Sequence, residues 1–394
     1  MSEKLYINAM GVTCPLGDSP EKISQRLFSG DRSALQPSDQ LISGRQTYLG
    51  RVSVELSQLP RVLADYECRN SRLLFHSYQQ IADKVTELKR RYGASRIGVV
   101  LGSSTAGIAE GEQALIEVAE QGKFPESYHY LKQELGSVAE FIAKAAGVKG
   151  PVYTVSTACS SSGKVLASAW RLVQADLCDV VICGGGDSLC ELTVNGFDAL
   201  ESVSTELGNP FSVNRSGINI GEASALFVVS KEPAPLALLG VGESSDAYHI
   251  SAPEPSGAGA ERAIMAALEQ ARLAPEQIGY LNLHGTGTPK NDEMESRVVN
   301  RVFGVELPCS STKALTGHTL GAAGALELAF CCLTLDVSNT AGLLPPHVWD
   351  GESDPGLAQI NLASPESRLT KVICMTNNFA FGGSNVSLIV GREA

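Results

Sequence analysis

Short runs of aliphatic and β-branched residues alternate along the chain with longer stretches whose apolar positions recur at helical spacing. Ile97-Gly98-Val99-Val100-Leu101 reads as a buried strand ending at Gly102. Further strands are expected at 152–155, at 179–183 leading into Gly184-Gly185-Gly186, at 279–283, at 372–376 and at 386–390. Helices are expected over 21–28, 163–174 and the Ala-, Glu- and Leu-rich 260–271. This alternation predicts an α/β fold with mainly buried sheets.

The pattern has an internal echo. Ser160-Ser161-Ser162-Gly163-Lys164-Val165-Leu166-Ala167 follows a strand and enters an alanine-rich helix, and Gly321-Ala322-Ala323-Gly324-Ala325-Leu326-Glu327 does the same after Leu307-Pro308-Cys309-Ser310-Ser311. The two stretches lie close to half a chain apart, as in a duplicated unit. Lys231-Glu232-Pro233-Ala234-Pro235 is the best candidate boundary, dividing the chain into 1–235 and 236–394.

Length and composition agree with this picture. A chain of 394 residues exceeds one small core, and 43% hydrophobic with 19% charged residues is ordinary for a well-packed protein. The net charge of −12, with no Lys/Arg run longer than three residues, argues against nucleic-acid binding. No apolar run reaches the length of a membrane span. The start, Met1-Ser2-Glu3-Lys4-Leu5-Tyr6-Ile7, has no apolar signal core, so a cytoplasmic protein is expected. Ten cysteines form no C-x-x-C pair and have no histidine pair at zinc spacing, so neither a metal site nor a cofactor is expected. Most sit in apolar strings and read as small buried hydrophobes in a reducing compartment.

Three segments carry chemistry. In Ser156-Thr157-Ala158-Cys159-Ser160-Ser161-Ser162-Gly163 a thiol follows a strand and precedes a helix, where the helix dipole is expected to lower its pKa. A thiolate there could take an acyl group from a thioester; a buried structural cysteine is the plain alternative. His284-Gly285-Thr286-Gly287-Thr288-Pro289 places a histidine at the carboxyl end of a buried strand. Lys313-Ala314-Leu315-Thr316-Gly317-His318 leads into the second alanine-rich helix, where Glu327 is a candidate partner for a buried Lys313. Each histidine alone reads more readily as a hydrogen-bonded loop residue.

Together these segments resemble the elongating β-ketoacyl-acyl-carrier-protein synthases, types I and II, of the thiolase superfamily. The family's T-A-C, H-G-T-x-T and K-x-x-x-G-H-x-x-G-A-A-G elements appear in order. Asn377-Asn378-Phe379-Ala380-Phe381-Gly382-Gly383-Ser384-Asn385 resembles its N-x-F-G-F-G-G-x-N, and Asp292 and Glu295 stand where it has a D-x-x-E pair. The resemblance covers nearly the whole chain. It implies a thiolase-like five-layered αβαβα fold of two similar halves, with the nucleophile in 1–235 and both catalytic histidines in 236–394.

The resemblance also implies a mechanism. Cys159 would accept an acyl chain from its carrier protein, and malonyl-carrier protein would then lose carbon dioxide to an enolate held by His284 and His318. The backbone N–H groups of Cys159 and Phe381 would bind the tetrahedral oxyanion. Phe381, with Phe379 beside it, would gate the site. Lys313, paired with Glu327, would orient and tune the second histidine, His318. Asp292, Glu295 and Glu222 would support the site through hydrogen bonds.

Departures from the family pattern avoid these positions. Ser212 replaces the aspartate of P-F-D-x-x-R-x-G, Ile220-Gly221-Glu222-Ala223-Ser224-Ala225 departs from the usual G-E-G-A, and Cys68-Arg69-Asn70-Ser71-Arg72 lacks R-M-D. They fall where the family shapes its acyl pocket, dimer contacts and carrier surface. The expected reaction is therefore chain elongation on acyl- and malonyl-loaded carrier protein, either in fatty-acid synthesis or, favoured by the atypical lining, in aryl-polyene or polyketide synthesis. The expected assembly is a homodimer or a heterodimer with a related synthase-like subunit. A different class, the chain-length factors that have lost the cysteine and act as structural partners, is disfavoured by the retained Cys159, His284 and His318. Arg61, Arg69 and Arg72 form the densest arginine cluster upstream of the pocket, a candidate docking patch for an acidic carrier protein, with a plain solvated face as the alternative.

Overall fold

The computed structural model describes residues 4–39 and 41–393. In chain order the first part runs β1 (Leu5–Thr13), α1 (Pro20–Ser29), β2 (Leu35–Ser38), β3 (Thr47–Gly50), α2 (Arg69–Tyr92), β4 (Ile97–Gly102), α3 (Ile108–Gln121), α4 (Ser137–Ala146), β5 (Val152–Val155), α5 (Ser161–Gln174), β6 (Val180–Asp187), α6 (Glu191–Ala199), β7 (Ile220–Gly221) and β8 (Ala223–Ser230). The second runs β9 (Leu236–Ser245), α7 (Ala258–Ala271), β10 (Tyr280–Asn282), α8 (Pro289–Phe303), β11 (Pro308–Ser310), α9 (Lys313–Thr316), α10 (Ala323–Leu335), β12 (Asn361–Leu362), β13 (Ile373–Phe379) and β14 (Ser384–Arg392).

The two parts repeat one topology. The first orders its strands β5-β4-β6-β8-β1 and the second β11-β10-β13-β14-β9. In each, the three leading strands are parallel and the last two run antiparallel. β1 and β9 pair over Leu5–Ile7, joining the half-sheets into one 11-stranded sheet, with β12 at its edge.

Burial explains the layers. Every residue of α10 is buried, so this helix has no solvent face and can only be an inner layer. It packs beside α5, and both helices touch strands of both half-sheets. α2 and α4 cover the outer face of the first half-sheet, where Leu74, Ile81, Val85, Phe141 and Ile142 form a core with β4 and β6. α7 and α8 cover the second through Ile264, Leu268, Met294 and Val298. The result is the five-layered, thiolase-like α/β arrangement. All ten cysteines are free and buried. Among the described residues no helix is long and apolar enough to cross a membrane.

Two details position the site. Gly102, at the end of β4, faces the start of α5 so closely that a Cβ would lie 2.4 Å from the Ser162 backbone nitrogen. This close approach seats the α5 N-terminus on the sheet. Second, β7 belongs to a small sheet with β3 and β2. Its neighbourhood grips the His318 backbone: His318 N–H donates to Asn219 O at 2.7 Å, and Gly221 N–H donates to His318 O at 2.9 Å.

Candidate active site

Cys159, His284 and His318 come from three separate loops: those of Cys159 and His284 follow strands β5 and β10, and that of His318 follows the short helix α9. Cys159 follows β5 and stands two residues before α5; Ala158 before it adopts a left-handed φ of 51°, a strained turn that presents the thiol. His284 follows β10, and its backbone is pinned by α8: Glu295 accepts the N–H groups of His284 and Gly285, both at 2.7 Å. Asp292, one turn earlier, accepts from Phe211 N–H at 2.8 Å and Gly287 N–H at 3.2 Å. Burial pushes the Glu295 and Asp292 carboxyls up, to about 7 and about 6.

The side chains converge on the floor of a cleft of about 260 Å³. His318 Nε2 lies 3.0 Å from Cys159 Sγ, and the two imidazole rings meet edge to face with centroids 5.4 Å apart. Phe379 packs edge-on against His284 at 6.0 Å. Phe381 stands at the cleft wall, its ring 5.6 Å from that of Phe197. The rim carries exposed Lys290 and Glu201.

The electrostatics differ from the expectation at Cys159. Burial pushes its thiol up to about 11, outweighing the lowering by the Lys313 ammonium and by the backbone N–H groups of Phe381 and Cys159 itself. Desolvation outweighs the dipole of α5 at a thiol that is 4% exposed. Both imidazoles are held well below the ordinary histidine range, first by burial and then by Lys313, so both are neutral at pH 7.

Lys313 also corrects the expectation. Its ammonium contacts Glu327 and sits 3.5 Å from Nδ1 of His284, the first histidine rather than the second. An ammonium facing Nδ1 can only donate to it, which leaves the ring proton on Nε2. Asn378 completes the group by donating to Glu327 Oε2 at 2.6 Å.

Glu222 lies away from the cleft lining. It accepts from Arg69 Nε at 2.7 Å, from Val52 N–H at 3.0 Å and from Leu189 N–H at 3.3 Å. The three arginines form no open basic patch: Arg69 is turned onto Glu222, Arg72 onto Glu67, and only Arg61 is exposed. Adjacency in the chain suggested a shared face, but each paired guanidinium is committed to a carboxylate.

One buried residue escaped the sequence reading. Asp187, at the end of β6, accepts from Ser103 Oγ at 2.6 Å, Ser104 N–H at 2.9 Å, Thr105 N–H at 3.0 Å and Gly321 N–H at 2.6 Å. It thereby ties the loop after β4 to the His318 loop. The strand was expected to stop at the Gly184–Gly186 run, and it continues through it.

Cys159, His284 and His318 are also the one set of donors among the described residues that could close on a metal ion, with ligand atoms within 4.8 Å of one another. The Lys313 ammonium opposes this, because it occupies Nδ1 of His284 and keeps a proton on the nitrogen a metal would need.

Comparison with known proteins settles the family. The β-ketoacyl synthase N-terminal domain matches residues 69–234 and the C-terminal domain matches 237–348. The chain belongs to the β-ketoacyl synthase family. It is 30% identical to nodulation protein E of Rhizobium meliloti, over 98% of this chain and 99% of that one. It is 29% identical to 3-oxoacyl-[acyl-carrier-protein] synthase 2 of Coxiella burnetii, over 99% and 98%. Among solved structures, a ketosynthase in complex with its chain length factor from Xenorhabdus doucetiae superposes with a TM-score of 0.95 at 46% identity, covering 99% of this chain and 98% of that one. The protein is thus an enzyme of ketosynthase type, and Cys159, His284 and His318 fall within the matched domains.

Proposed function

We propose that this ketosynthase catalyses decarboxylative Claisen condensation between an acyl group on Cys159 and malonyl-acyl-carrier protein, yielding 3-oxoacyl-carrier protein. The observation that carries the reading is the convergence of Cys159 Sγ and two neutral imidazoles on one cleft floor. In the first step the Cys159 sulfur displaces the carrier thiol from an acyl thioester. Loss of carbon dioxide from the bound malonyl group then leaves its bonding pair as an enolate. The Nε2–H of His284, with the proton placed by Lys313, and that of His318 donate to the enolate oxygen without being acidic enough to quench the carbanion. The carbanion attacks the acyl-cysteine carbonyl, and the N–H groups of Cys159 and Phe381 stabilise the oxyanion. Collapse expels the Cys159 thiolate.

Closer identity to the ketosynthase–chain length factor structure than to the synthase of Coxiella burnetii supports elongation in an aryl-polyene or polyketide pathway over fatty-acid synthesis. A related synthase-like subunit is the proposed partner. The edge strand β5 and the exposed Leu115, Tyr130, Tyr153 and Leu192 offer it an open strand and apolar side chains. For the acidic carrier protein, Lys290 supplies positive charge at the cleft rim. The alternative of a chain-length-factor-like partner is not favoured by a chain that keeps the nucleophile and both histidines. The division at 235/236 then separates the nucleophile from the enolate-binding histidines.

The test is to incubate the protein with a panel of acyl-carrier proteins and read the adduct by intact mass, then add malonyl-carrier protein. Acylation of Cys159 followed by a 3-oxo product is expected. Loading that persists in Cys159→Ala, or no loading at all, would sink the proposal. Size exclusion alone and with candidate subunits separates homodimer from heterodimer.

A further inference from the structure

We infer that Asn378 is a positioning residue of the enolate-binding arm, acting on His284 through Glu327 and Lys313; this rests on the condensation reading above. The motif around it resembles the family pattern at Asn377 and the two phenylalanines, whereas position 378 is one that the pattern leaves open.

Asn378 is fully buried in β13, three residues before Phe381. Its Nδ2 donates to Glu327 Oε2 at 2.6 Å, while the other carboxylate oxygen of Glu327 takes Lys313. Lys313 Nζ in turn stands 3.5 Å from His284 Nδ1. The four side chains form one buried chain without a break, and nothing in it is wet enough to rearrange cheaply.

The other end of the amide is closely packed but accepts no hydrogen bond among the described residues. Its Oδ1 lies in the crossing of α5 and α10, where a Cβ on Gly324 would come within 2.8 Å of it and one on Gly163 within 3.4 Å. Both inner helices thus leave room for this carbonyl. Helix α5 follows Cys159, α10 carries Glu327, and β13 leads into the Phe381 loop. Asn378 therefore touches the supports of the nucleophile, the Lys–Glu pair and one oxyanion donor together.

The orientation of Glu327 decides what Lys313 can do. Burial raises the Glu327 carboxyl and the Asn378 amide opposes that rise. Without the amide, Glu327 is free to turn both oxygens to Lys313 or to take up a proton. Either change alters the hold of the ammonium on His284 Nδ1, and with it the proton on Nε2. Acyl transfer to Cys159 needs none of this, so loss of Asn378 should separate the two half-reactions.

Asn378→Ala and the isosteric Asn378→Asp test this in the full-length protein. Two rates are measured: acyl loading of Cys159 by intact mass, and decarboxylation of malonyl-carrier protein. For Asn378→Ala we expect loading within about twofold of the parent and decarboxylation kcat down by about tenfold or more, with KM little changed. In Asn378→Asp two buried carboxyls face each other and share a proton only at lower pH. Its decarboxylation relative to the parent should recover as pH falls from about 8 to about 6, when a protonated Asp can again donate to Glu327. A merely structural role predicts equal loss of both half-reactions and no such recovery; either result, or unchanged decarboxylation in both variants, overturns the inference. The aspartate variant decides the matter even if the alanine variant fails to fold. A parent enzyme that loads no acyl group would sink the condensation reading itself.

Discussion

His318 Nε2 and Cys159 Sγ are 3.0 Å apart in a site where the thiol is pushed up to about 11 and the imidazole is held neutral. The pair is therefore a thiol beside a neutral imidazole rather than a preformed thiolate–imidazolium pair. Deprotonation then accompanies acyl transfer. Alkylation by iodoacetamide should show its half-point above that of a free cysteine, about 8.5. Because Lys313 lowers the thiol, Lys313→Ala should slow alkylation further at a fixed pH of about 8. Rates against pH for both proteins check this. A plateau already reached below neutrality would show that the thiolate is formed at rest.

The two histidines have different supports, which predicts different variant behaviour. His284 is braced by Lys313 at Nδ1 and by Glu295 at its backbone, whereas His318 Nδ1 has no hydrogen-bond partner among the described residues. His284→Ala and His318→Ala should each cut malonyl decarboxylation by about 10²–10³, the usual cost of one oxyanion donor. Only His318→Ala also removes the imidazole that contacts Cys159 Sγ, so it should slow acyl loading while His284→Ala leaves loading nearly intact. Single-turnover measurement of each half-reaction distinguishes them, and equal effects on loading would contradict the geometry.

Much of this was legible in the residues themselves. The inner helices α5 and α10 showed as small-residue starts followed by apolar turns, and α10, which has no solvent face, is apolar nearly all round. Cys159, His284 and His318 were legible as segments, since each lies in a short loop of small residues. The pairing of Lys313 was not. It lies five residues from His318 and 29 from His284, yet the short α9 turns its side chain to the more distant residue. The arginine cluster failed for the same reason: the partner of Arg69 is Glu222, 153 residues away. Asp187 did leave a signal, an acidic residue directly after a buried strand and three glycines, where an unsolvated carboxylate needs several donors.

Asp187 gives the third prediction. It accepts backbone N–H groups from Ser104, Thr105 and Gly321 while fully buried. Asp187→Asn would turn an NH₂ donor towards these donors, losing at least one bond and leaving another unsatisfied. The expected loss of stability is about 2–4 kcal/mol, read from urea denaturation. Gly321 is three residues from His318, so decarboxylation should fall even in the folded fraction. An unchanged denaturation midpoint would show that the network does not bear on stability.

The last prediction concerns acid. His347 is buried, accepts from Ser311 N–H at 3.2 Å through Nδ1 and donates to Pro210 O at 2.9 Å through Nε2, so it bridges the loop after β11 to the Pro210–Phe211 turn. Burial lowers it to about 4 from an ordinary 6.5, with the Pro210 carbonyl opposing the shift. A group whose folded pKa is depressed contributes stability above its unfolded pKa and loses it as pH falls through the folded value. Here the window runs from 6.5 down to about 4, and its full depth is roughly 3 kcal/mol at about 1.4 kcal/mol per unit. His284 and His318 are lowered in the same direction and add to the slope. The raised Glu295 and Asp292 carboxyls act in the opposite sense over this range, so the His347 share is read as the difference between parent and variant between pH 6.5 and 5. His347→Gln, whose amide can still accept from Ser311 N–H and donate to Pro210 O, should keep most of the stability at pH 7.5 and lose part of the slope. Urea midpoints of both proteins at pH 7.5 and 5 provide the comparison, and identical slopes would remove His347 from the account of acid sensitivity.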